Sequence, residues 1–224
     1  MQSNQLLIEK YNRLQSSLLI FLSIFFTIIA LVSPFVLTYY FQYYLLLIAV
    51  SFIGLPHGFF DYSIAERLFS YKKNWIYYFT ISYIFLSLIY LFFWFEYPLE
   101  SLIFFLTISI FHFGMEELTH IKYKDMNFFQ IIIIGSIPIA LPILFHPENV
   151  FYIFNQITDL DINYDYINTY IYYIYFLLLF IALYLNGIKR SWIYLLLIAN
   201  FIILPPLVSF ILYFCFHHSL RHYI

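Results

Sequence analysis

Apolar runs of about 20 residues, recurring along nearly the whole chain, limit its fold more than any other feature. They fall at about 18–38, 43–63, 75–95, 101–119, 128–146, 167–187 and 191–216. A helix of that length spans a hydrocarbon core of about 30 Å, since each residue adds about 1.5 Å. The residues between the runs sort by charge sign. Lys10 and Arg13 precede the first run; Arg67, Lys72 and Lys73 follow the second, Lys122 and Lys124 the fourth, Lys189 and Arg190 the sixth. The other connections are neutral (39–42) or acidic, with Glu96 and Glu100, then Glu148, Asp159, Asp161 and Asp165. Alternation of this kind predicts a polytopic all-α transmembrane bundle with its N-terminus in the cytoplasm.

Composition closes off the rival classes. Hydrophobic residues make up 64% of the chain and charged residues 10%, with a mean hydropathy of +0.86. Soluble domains run nearer half apolar and a quarter charged. The formal net charge is −2 and no basic patch suits nucleic acid. Cys215 is the sole cysteine, so no intrachain disulfide can form. The whole chain, 1–224, reads as a single integral membrane domain, with 1–16 as a cytoplasmic tail and not a signal peptide. The 29 Phe and 24 Tyr fit an aromatic substrate tunnel, but an AT-rich genome accounts for them equally well.

The last run holds an ambiguity. Pro205 and Pro206 interrupt it, removing two amide donors and disfavouring helix at the residue before them. As a kink they leave seven spans. As a turn between short helices, at about 191–204 and 206–223, they give eight.

Ionisable side chains at membrane depth cost about 2.5–3.5 kcal/mol each on insertion scales, so each one is a functional candidate. Three clusters carry polar pairs four residues apart: His57 with Asp61, His112 with Glu116, and His218 with His222. That spacing puts both members on one helix face, and two histidines so placed can reach one metal ion. Neutral imidazole suits iron, copper or zinc; Asp61 and Glu116 are placed to orient an imidazole or to act as ligands themselves. Counted from the cytoplasmic ends of their helices, His57 and His112 lie roughly 9–10 Å deep. His218 reaches a similar depth only if the last helix runs inward. A shared site therefore selects eight spans. His120 and His146 read as interfacial, and His217, on a different face from the 218/222 pair, as structural. Gly58 and Gly114 allow close helix packing or open room beside the metal.

These residues resemble the Brp/Blh family of membrane β-carotene 15,15′-dioxygenases, which supply retinal to microbial rhodopsins. The likeness rests on Pro56-His57-Gly58 with Asp61, on His112-Phe113-Gly114, and on His218-Ser219-x-Arg221-His222, in the family's order. Leu220 stands where many members have proline. The resemblance implies Fe(II) held by His57, His112, His218 and His222, with O2 cleaving the central double bond of β-carotene into two retinal molecules in the cell membrane. Tyr62, Phe113 and Phe216, adjacent to these residues, are expected to line the substrate slot.

Other functions fit less of the pattern. A bis-histidine haem leaves the 218/222 doublet surplus, and a di-iron desaturase needs more histidines than the seven present. An opsin needs a buried lysine, whereas every lysine falls in a tail or loop. A transporter or proton channel using His57, Asp61 and Glu116 as a relay is the alternative outside the enzymes.

Overall fold

The computed structural model describes residues 2–33, 38–118, 127–164 and 169–220. Among them the chain is helical throughout, with no strand. The order is α1 (Gln2–Val32), α2 (Tyr39–Ala49), a π-helical turn (Val50–Gly54), α3 (Leu55–Phe69), α4 (Trp75–Glu96), α5 (Pro98–Glu117), α6 (Phe128–Gly135), α7 (Ile137–Phe145), α8 (Pro147–Thr158), α9 (Thr169–Asn186), α10 (Ile188–Ile203) and α11 (Pro206–Ile211). A second π-helical segment, Leu212–Ser219, continues α11.

Among the described residues four helical stretches are long and apolar enough to cross a bilayer: Lys10–Val32, Trp75–Glu96, Pro98–Glu117 and Thr169–Asn186. The pair α6 and α7, bent by 47°, makes a fifth if counted as one span. That is fewer than the eight crossings expected. The shortfall lies in the short apolar stretches, Tyr39–Ile53 and Ser191–Ile203, and in the break within the last run. Residues 2–16 form the first half of α1, and the stretch of that helix apolar enough to cross a bilayer is Lys10–Val32.

Local chemistry sets the boundaries. Pro98 opens α5, where its missing N–H is no loss, and Glu100 sits in the positive first turn. The Asn127 side chain accepts the Phe129 N–H and caps α6. Between α6 and α7, Ser136 Oγ bonds Ile133 O at 2.8 Å and meets Tyr175 Oη at 3.0 Å, so the bend is braced by α9. Gly187, at φ 92°, makes the turn into α10 in a region open chiefly to glycine.

Pro205-Pro206 ends one helix and starts another. Leu204 is extended at ψ 152°, as a residue before proline prefers, and Pro206 begins α11. Ring contacts give the direction of the two arms. Phe201 meets Tyr213 at 6.2 Å, and Tyr194 meets His217 at 6.4 Å between centroids. One number falls as the other rises, so α10 and the last helix form an antiparallel hairpin.

The first helix packs along that hairpin. Gln15 Nε2 donates to the carbonyls of Phe216 (3.1 Å) and His217 (2.8 Å), and Tyr11 Oη donates to Leu220 O (3.0 Å). Asn200 Nδ2 on α10 donates to Ser23 Oγ at 2.9 Å. The core lies between these elements, with Leu19, Ile134, Leu141, Leu179, Phe201 and Leu212 nearly inaccessible. By contrast, α4 is apolar on every side and buries none of its residues, which suits a helix facing lipid.

Candidate functional site

Two glycines bring α5 to its partner. A Cβ at Gly114 would lie 2.0 Å from Ile131 O, and one at Gly135 would lie 2.0 Å from Ile110 O. Only glycine at both positions lets α5 and α6 cross in backbone contact. That contact fixes the C-terminal half of α5, and with it His112 two residues earlier.

The last helix supplies the opposing residues. His112 Nε2 and His218 Nε2 stand 3.2 Å apart. Two ligands at ~2.0–2.1 Å from one ion, with an angle of about 95–110° between them, are separated by about 3.0–3.4 Å. The pair is therefore spaced to share a cation, and the same spacing admits an N–H···N hydrogen bond between neutral rings. His218 is 2% exposed, while His112 is exposed. The buried Phe113 lies edge-on to His218 at 5.0 Å, and Phe214 stacks on it at 5.9 Å and 18°. One face of the pair is packed in aromatic rings and the other opens toward the outside of the bundle.

The π turn Val50–Gly54 packs against the last helix, with Val50 and Ile53 beside Ile211 and Cys215. It leads into α3, whose third residue is His57. Both π-helical segments thus border the histidines, a distortion common at functional sites. The side chain of His57 and all of His222 lie outside the described residues, as does His120. Among the described residues no three His, Cys, Asp or Glu side chains converge.

The remaining predicted residues are placed unevenly. Asp61 is exposed on α3 and Glu116 is partly buried on α5. Tyr62 is exposed against Trp75, with ring centroids 5.5 Å apart. Phe216 is partly buried beside Ala49 and Cys215. His146 meets Phe201 O at 3.1 Å, which fixes it where α7 turns into α8.

Sequence reasoning passed over one group. Glu117, not Glu116, is the buried carboxylate, at 2% exposure. Tyr194 Oη donates to Glu117 Oε2 at 2.8 Å, and His217 Nε2 lies 3.0 Å from Oε1 and 3.2 Å from Oε2. Both adjacent histidines approach the C-terminal part of α5: His218 meets His112, while His217 meets Glu117, which also accepts from Tyr194 on α10. Nothing in the sequence separates Glu117 from Glu116, because only the fold brings Tyr194, 77 residues away, to one of them.

Comparison with known proteins decides the family. The family model described as beta-carotene 15,15′-dioxygenase matches residues 48–224, which include every one of the four histidines singled out. The chain belongs to the β-carotene 15,15′-dioxygenase family. A protein of uncultured marine bacterium 66A03, named beta-carotene 15,15′-dioxygenase, is 34% identical over 188 residues, covering 78% of this chain. The alignment spans 66% of that relative's length, just short of two thirds. No solved structure matches the chain. His112 and His218, whose ring nitrogens stand 3.2 Å apart, both lie within the matched residues.

Proposed function

We propose that the chain cleaves β-carotene at its central 15,15′ double bond with O2, releasing two retinal molecules, at a ferrous ion held by His57, His112, His218 and His222. The observation that carries this reading is the 3.2 Å separation of two imidazole nitrogens from distant parts of the chain. Family membership supplies the reaction class. Bound there, Fe(II) would activate O2 beside the double bond.

The protein's own part is positioning. His112, on the exposed side of the pair, is reachable from the bilayer, where a long hydrocarbon is already dissolved. His218 is held from behind by the edge-on ring of Phe113 and the stacked ring of Phe214, which exclude water from that side. The reaction balances without a further electron donor, since one C=C bond and one O2 become two aldehyde carbonyls.

The same reading sets the protein in the cell membrane with its N-terminus cytoplasmic and eight crossings. Support for an even number comes from Tyr11 beside Leu220 and from the antiparallel hairpin, which keep the start of α1 near the end of the last helix. A retinal-binding rhodopsin is the partner that would consume the product. Metal analysis of the purified protein tests the centre. The intact chain is expected to retain stoichiometric iron, and His112→Ala and His218→Ala to lose it. Iron unchanged in both variants would remove the pair from the metal site.

A further inference from the structure

A pocket of about 440 Å³ opens among six of the helices, lined by neither His112 nor His218, and nothing in the metal chemistry uses it. Its walls come from α2, α4, α5, α7, α8 and α11, with Trp94, Phe105, Leu106, Ile153 and Phe210 among them. Among the described residues no charged side chain lines it.

Two features give its contents a chemical class. Val150, Ile153, Phe154 and Ile157 all face it from α8. These are the i, i+3, i+4 and i+7 positions of one helix stripe, which ordinarily seats against a protein core. Here the stripe roofs a space instead. The volume falls within the ~300–1,000 Å³ of small-ligand sites, which bind mostly through apolar and aromatic walls.

The pocket is also aligned with the histidines. On α5, Leu102 and Leu106 precede His112 by roughly 15 and 9 Å along the helix. On the last helix, Phe210 stacks on Phe214 at 5.5 Å and 5°, and Phe214 stacks on His218 at 5.9 Å. A continuous aromatic rail therefore joins the pocket wall to the metal pair. A polyene laid along such a rail carries its end group several double bonds from the bond at the metal.

We propose that this pocket receives one ring-bearing end of the carotenoid, so that its depth sets which double bond lies at the histidines. The assignment rests on the carotenoid reading above, and ties substrate choice to α8 and α11, away from the chemistry.

Trp94 in the wall provides a binding signal independent of turnover. The full chain, purified in detergent, is titrated with β-ionone, the ring and first conjugated bonds of the substrate, while tryptophan fluorescence is followed. Saturable quenching is expected, lost in Trp94→Phe and shifted about tenfold to weaker binding in Ile153→Phe, with Leu106→Phe as a second filled variant. Quenching that never saturates, or that persists in Trp94→Phe, overturns the assignment. So does displacement of β-ionone by oleate at equal or lower concentration, which would make the pocket a lipid-chain site. Retinal formation is measured in the same preparations. Cleavage without saturable quenching defeats the pocket assignment alone, and saturable quenching without cleavage defeats the enzymatic reading alone.

Discussion

His112 and His218 lie 106 residues apart in the chain, yet their Nε2 atoms approach to 3.2 Å. Three features make that contact: the glycine crossing that sets α5, the proline break that turns the last helix back, and the hydrogen bonds from α1 that hold its end. Each can be tested separately.

The crossing is the most sensitive. A Cβ at Gly114 meets backbone, which cannot rotate aside as a side chain can. Gly114→Ala is expected to destabilise the protein by about 3 kcal/mol, the upper range for overpacking. A lowered thermal midpoint in detergent reads this directly. A variant as stable as the intact chain would mean that α5 and α6 do not cross in backbone contact.

How much of this was legible in the sequence depends on the range of the interaction. The helices follow from apolar runs, and Gly114 was readable as a packing residue. Matching the depths of His112 and His218 was enough to favour a turn at Pro205-Pro206, which the hairpin bears out. Three features were not legible. The bend at Ser136 depends on Tyr175, a residue 39 positions away. The π-helical segments change the register without any mark in composition. Glu117 looks like its neighbour Glu116 until its partner Tyr194 is known, although His217 was readable as lying on a different face from His218.

That buried group yields a second prediction. Tyr194→Phe removes one donor to Glu117 and is expected to cost about 1–1.5 kcal/mol. Glu117→Ala strands both Tyr194 and His217, and is expected to cost about 2–3 kcal/mol. Because the residues share a network, the double variant should lose less than the sum, by about 0.5–3 kcal/mol. Strict additivity in denaturation measurements would show that the hydrogen bond contributes nothing.

Topology gives a third. Tyr11 bonds Leu220, so short tags at the two termini should react with an impermeant reagent from the same face of sealed vesicles. Labelling of the two tags from opposite faces would require an odd number of crossings and rule out the proposed eight.

The fourth concerns the chemistry itself. The chain is expressed in cells that accumulate β-carotene, beside His112→Ala and His218→Ala at matched membrane levels, and the pigments are extracted and separated. Loss of β-carotene with retinal appearing in the intact chain alone is the expected result, with both variants falling to background. Retinal formed equally by either variant, or β-carotene untouched by the intact chain with iron supplied, would contradict cleavage at the paired histidines.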